Sequence, residues 1–127
     1  MSRPLSVLIV EAEPLLAGEL QSNIKEKGAV VVVARSIAAA ESAISVTNFD
    51  LCVLDPLAWD SSAHVVAPLL RLRKVPFIIY SMVGSPPAGA IAHIRKPRPS
   101  HVVVRAVLKN LATQRATVQE LSRPQSS

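Results

Sequence analysis

The chain has 127 residues, half of them apolar and only 3% aromatic, and carries a formal net charge of +5. That length gives one domain with a real core and excludes a second, and so aliphatic a composition excludes a disordered chain. The single cysteine, Cys52, excludes an internal disulfide and a CxxC metal site, and no segment approaches the ~20 apolar residues of a membrane span.

Leu5 to Val10 is an apolar run, broken only by Ser6, between Pro4 and Glu11-Ala12-Glu13-Pro14, which predicts a buried strand. Pro14 suits the first turn of a helix, where its missing N–H does no harm. Leu16, Leu20 and Ile24 then recur every fourth residue, one face of a helix that ends near Lys27-Gly28. Ala29 to Ala34 holds four consecutive valines, a second buried strand. Ser36 is placed to cap a helix whose inner face is Ile37, Ala40 and Ile44.

Phe49 to Leu54 reads as a third strand ending at Asp55-Pro56. Ser61 or Ser62 can cap a third helix carrying Val65, Val66, Leu69 and Leu70. Pro68 lies inside it and predicts a kink or a short, irregular helix. Pro76 to Tyr80 is a fourth strand. Gly84, Ser85, Pro86, Pro87 and Gly89 make the next stretch a loop, and Ala90 to Arg95 forms a short fifth strand. Val104, Val107, Leu108, Leu111 and Val118 mark a long final helix. Cys52 falls in an apolar run and is expected to be a buried, inert thiol.

Strands alternate with helices, so the fold class is α/β: a doubly wound, five-stranded parallel sheet covered on both faces. Right-handed crossovers put the functional crevice at the carboxyl ends of the strands. The residues there are Glu11 and Glu13, Asp55, Ser81 and Lys96, after strands one, three, four and five. Such a set suits phosphoryl transfer to a carboxylate. Clustered acids hold a hard cation, a central aspartate is the nucleophile, and a hydroxyl and an ammonium bind phosphoryl oxygens.

On these residues the chain resembles the receiver domain of the response regulators of two-component signalling. The stretches that carry the resemblance are Val7-Leu8-Ile9-Val10-Glu11-Ala12-Glu13-Pro14, Phe49-Asp50-Leu51-Cys52-Val53-Leu54-Asp55, Pro76-Phe77-Ile78-Ile79-Tyr80-Ser81 and Arg95-Lys96-Pro97. The resemblance implies a flavodoxin-like sheet of order 2-1-3-4-5, with residues 1–122 as the receiver-like domain and 123–127 as a flexible tail. It also implies phosphorylation at Asp55, phosphoryl contacts from Ser81 and Lys96, a Lys-Pro peptide that is often cis, and His93 at the position of the switch aromatic. Glu11 and Asp55 are the implied metal ligands, for Mg²⁺. A histidine kinase or phosphotransfer protein is the implied donor, a downstream protein the implied receiver of the signal. Such a domain is not an enzyme in the ordinary sense, and its expected location is cytoplasmic.

Two departures from the family pattern stand out. Ala12 replaces the second acid of the pair, and a methyl group cannot ligate Mg²⁺, so metal binding is expected to be weakened. The interval from Ser81 to Lys96 is too short for the helix the family places there, so that helix is expected to be missing or reduced. Its loss is expected to bare apolar residues of strands four and five, among them Ile78, Tyr80 and Ile94, and to favour a homodimer through that surface and the last helix.

Other readings carry less. A pseudo-receiver, the same fold acting as a phosphorylation-independent interaction module, is favoured by Ala12 and the shortened interval. A small-ligand enzyme on the same fold would need a phosphate loop after strand one, where the chain is acidic. Nucleic-acid binding rests on the basic residues Arg71, Arg73, Lys74, Arg95, Lys96, Arg98 and Arg105, without interleaved aromatics to stack on bases. His64, His93 and His101 are spread over three elements and form no evident metal site. Trp59 reads equally well as part of a partner pocket or as cover for the third helix.

Overall fold

The computed structural model describes residues 3–55, 62–82 and 88–121, with the side chains of 62–64 and 116–121 not described. The elements are β1 (Ser6–Val10), α1 (Pro14–Lys25), β2 (Val30–Ala34), α2 (Ile37–Val46), β3 (Leu51–Leu54), α3 (Ser62–Leu72), β4 (Phe77–Ser81), β5 (Ala92–Arg95) and α4 (Ser100–Leu121). The five strands pair in parallel in the order β2-β1-β3-β4-β5. The expected fold class and strand order are therefore those of the molecule, and the described residues form four helices. Residues 82–91 join β4 directly to β5, and no described residue of that connection is helical.

Two core layers follow from the two-residue alternation of the strands. Leu8, Val10, Cys52, Leu54, Phe77 and Ile79 face α2 and α3 and pack on Ala40, Ile44, Val66, Ala67 and Leu70. Val7, Ile9, Leu51, Val53, Ile78, Tyr80 and Ile94 face the other way, onto Leu20 and Ile24 of α1 and Val103, Val104, Val107 and Leu111 of α4. The central strands are buried at every position and, apart from Ser6 and Ser81 at their ends and the Tyr80 hydroxyl, apolar, because both of their faces are covered.

This alternation corrects one expectation. Ile78, Tyr80 and Ile94 are not bared by the short β4–β5 connection; they are 0%, 3% and 8% exposed, beneath α1 and α4. The connection's described residues 88–90 lie over the opposite face of the sheet, to which Ile79 and His93 belong by their shared register position. There Arg71 of α3 donates from Nη1 to the carbonyl of Ala88. Gly89, at φ +96°, sits so close to Arg71 that a Cβ there would lie 2.8 Å from Cδ.

Helix α3 carries its proline internally. It runs unbroken from Ser62 to Leu72 with Pro68 inside it. Pro68 itself is exposed, on the side of the helix away from the buried Val66, Ala67 and Leu70. The helix ends in a Schellman turn: the N–H of Lys74 donates to the carbonyl of Arg71 at 3.0 Å, and that of Val75 to Leu70 at 2.8 Å. Lys74 takes the left-handed conformation this requires, at φ 58°, where glycine is usual.

The expected cap of the second helix and the expected place of Pro14 in the first both hold. Ser36 Oγ accepts from the N–H of Ala39 at 3.1 Å to start α2. Pro14 opens α1, whose N-cap is Glu13. The expected cap at Ser61, the ring of Trp59, the Gly84–Pro87 loop, the side chain of Val118 and the 123–127 tail lie outside the described residues.

Candidate functional site

The site is built by three backbone hydrogen bonds that extend the sheet one residue past its strands. The N–H of Glu11 donates to Ala34 O at 3.2 Å, that of Asp55 to Val10 O at 3.0 Å, and that of Lys96 to Ser81 O at 2.9 Å. These bonds hold residues distant in sequence in parallel register at the carboxyl end of the sheet. The Lys96-Pro97 peptide is cis, as the resemblance implied.

Lys96 ties the site together. Its Nζ donates to Asp55 Oδ2 at 2.7 Å and to Glu11 Oε1 at 2.9 Å. Glu11 and Asp55 are buried, at 3% and 7% exposure. Burial alone would lower the pKa of Lys96; the hydrogen bonds and charges of Asp55 and Glu11 outweigh it and raise the value above the ordinary 10.5, so the ammonium is held charged. Ser81 is fully buried at the end of β4, in register with Arg95 and hydrogen-bonded through its carbonyl to Lys96.

Glu13 does not take the place of the missing acid. Its carboxylate caps α1, accepting from the N–H of Leu15 at 3.2 Å and of Leu16 at 2.8 Å. The N–H of Glu13 in turn donates to Glu11 Oε2 at 3.2 Å, which occupies the second oxygen of Glu11. The fold implies a Mg²⁺ site here, and the donor set does not fit a resident ion. Ala12 offers no side-chain ligand, both oxygens of Glu11 are engaged, and one oxygen of Asp55 is held by Lys96. No group of three or more His, Cys, Asp or Glu that could hold a metal ion occurs among the described residues. A cation would have to displace the ammonium from oxygens it already neutralises.

His93 stands apart from this cluster. It is half-buried on β5, paired with Ile79, and its Nε2 is buried with no hydrogen-bond partner among the described residues. Sequence reading overlooked Tyr80 and Arg35. The Tyr80 ring lies beside the ammonium of Lys96, 5.3 Å from Nζ to its centroid, and its hydroxyl donates to the carbonyl of Arg98 at 2.6 Å. Burial raises the tyrosine's pKa, so this hydroxyl stays a donor at neutral pH. Strand alternation places Tyr80 and Ser81 on opposite faces, which is the one sequence signal for it. Arg35 Nη2 approaches the carbonyl of Ala12 at 3.4 Å; following a strand end was its only mark.

The site can neutralise and orient a reacting carboxylate. Two buried carboxylates share one ammonium at the open end of a parallel sheet, with a hydroxyl residue on the neighbouring strand end. Among solved structures, the fold matches a CheY-like response regulator receiver domain protein from Methanospirillum hungatei at a TM-score of 0.79 and 19% identity, over 91% of this chain and 99% of that one. It matches a two-component response regulator from Clostridium difficile at 0.75 and 16% identity, over 85% and 96%. It matches the receiver domain of the TMAO respiratory system response regulator TorR at 0.73 and 26% identity, over 87% and 98%. No family model and no curated protein matches the sequence. The chain has the fold of a CheY-like receiver domain of the two-component response regulators.

Proposed function

We propose that this chain is a receiver that accepts a phosphoryl group on Asp55 and signals through protein–protein contact. The observation that carries the reading is the hydrogen bond from Lys96 Nζ to Asp55 Oδ2, which prepares one buried carboxylate beside a fixed positive charge. In the reaction a carboxylate oxygen of Asp55 forms the new bond to phosphorus. The phosphorus–nitrogen bond of a phosphohistidine in a histidine kinase or phosphotransfer protein breaks, and the imidazole takes a proton on leaving. Lys96 then balances the added negative charge, and Ser81 is the hydroxyl within the same strand-end group. His93 is the candidate switch residue, because a buried ring nitrogen without a partner favours rearrangement. In this reading the chain is a substrate of the transfer rather than an enzyme, and a cytoplasmic location goes with a kinase donor.

The second reading, a phosphorylation-independent module, is favoured by Ala12 and by the engagement of Glu13 as a helix cap. A homodimer through the β4–β5 edge and α4 belongs to both readings. Its support is the open edge of β5 and the exposure of Met82 (67%) and Ile91 (46%) beside it. Incubation with a small-molecule phosphodonor, followed by intact-mass measurement, separates the two. A gain of one phosphoryl group that disappears in Asp55→Asn is the expected result. An unmodified wild-type protein would leave the module reading.

A further inference from the structure

The outer face of α1 and α4 carries a groove that the strand-end site does not use. Its larger part has a volume of about 680 Å³, and a second part of about 210 Å³ continues toward the ends of the two helices. The floor is apolar: Val104 and Leu111 are buried, and Leu108 is half-buried between them. Four cations rim it, Lys27 from the end of α1 and Arg105, Lys109 and Arg115 from α4, against one anion, Glu26. All four are exposed, and none is paired with an acid among the described residues. From Ser100 to Arg115, α4 contains no acidic residue at all.

We infer that the groove between α1 and α4 is a docking site for an acidic amphipathic helix of a partner protein. An apolar floor takes the anchor side chains of a helix at spacings of three and four residues, and the unpaired cations meet acids on its flanks. The other occupants fit less well. A second copy of the chain, related by a two-fold axis, would set Arg105 and Lys109 against their own equivalents, a like-charge contact. Nucleic acid would use the cations but leave the apolar floor without a partner, and no Phe, Tyr or Trp is among the residues lining the groove, His101 being its one ring. The groove includes no residue of β4 or β5, although α4 is common to it and to the proposed dimer surface.

The test is a selection of peptides from a random display library on the immobilised full-length chain, with labelled winners measured by fluorescence anisotropy. The expected winners are net acidic, with apolar residues at i, i+3 or i+4, and i+7. Their affinity falls at least about tenfold in the double variant Arg105→Glu, Lys109→Glu and in Leu108→Asp, and falls with added salt. Arg105 and Lys109 are exposed, so the charge reversal leaves the core intact, and circular dichroism of both variants checks this. Three results would overturn the proposal: no enrichment, winners that are neutral or basic, or binding indifferent to the charge reversal. Tighter binding of a duplex DNA probe that ignores Leu108→Asp would also overturn it, in favour of nucleic acid.

Discussion

Lys96 Nζ lies 2.7 Å from Asp55 Oδ2, although the two residues are 41 positions apart in the chain. Neither residue's local sequence arranges that contact. It exists because β3 and β5 both flank β4 in one parallel sheet, and because the ladder continues one residue beyond their ends. Everything proposed for the site depends on this ion pair and its second arm to Glu11.

Removing the ammonium isolates two buried carboxylates. Lys96→Met is expected to cost about 3 kcal/mol of stability at neutral pH, the penalty for leaving a buried charge without its partner. Because the folded-state pKa of Lys96 is raised above 10.5, the wild-type contribution is complete below that pH and is lost as pH rises through the folded value. Urea unfolding between pH 7 and 12 checks both points: the variant's deficit should shrink toward the alkaline end.

Restoring the absent acid tests the metal argument. Ala12→Asp adds a third carboxylate at a position now filled by a methyl group, beside a Glu13 that is committed to capping α1. Mg²⁺ affinity measured by calorimetry is expected to rise by about tenfold or more. An unchanged affinity would mean that residue 12 does not face the site.

The other end of the sheet has its own charge pair. Asp50 accepts from the N–H of Ser6 at 2.8 Å and forms a two-point ion pair with Arg3, at 2.8 and 2.9 Å. Burial would raise its pKa; the bonds from Arg3 and Ser6 together outweigh that and hold it below the ordinary 3.8. The stabilisation is therefore present above pH 3.8 and is lost as pH falls through the lower folded-state value. Asp50→Asn should cost about 1 kcal/mol at pH 7, and progressively less below pH 4, in denaturant titrations.

Lys74 offers a gain. A left-handed conformation costs a non-glycine residue about 1–2 kcal/mol, and the entropy cost of glycine cancels part of that relief. Lys74→Gly is expected to stabilise the chain by about 0.5–1 kcal/mol, read as an increase in the urea midpoint with no change of slope. The same geometry is already met by glycine after α1, where Gly28 has φ +94°.

The central strands and most helices were legible because fully buried parallel strands must be apolar, as Val7 to Val10 and Leu51 to Leu54 are; β2, expected to be buried, is instead an edge strand with Val30 and Val32 exposed. The strand-end residues were legible for a related reason: polarity returns where a strand leaves the core, at Glu11, Asp55 and Lys96. The continuation of α3 across Pro68 was not, because packing of Val66, Ala67 and Leu70 on the sheet favours the helix against the local cost of a proline, and that packing is a tertiary property. The burial of Ile78, Tyr80 and Ile94 was missed for the same reason, since strand alternation fixes which residues share a face but not which helices cover it.

By itself, the sequence determined the α/β alternation, the apolar strands, the positions of the strand ends and the loss of one acid at Ala12. These are local properties, set by the side chain at each position and its near neighbours. Only the tertiary structure decided that Lys96 neutralises both Glu11 and Asp55, that Glu13 is spent on α1, and that unpaired cations line a groove between α1 and α4. Those facts come from strand order and helix packing, which bring together residues that the chain itself keeps far apart.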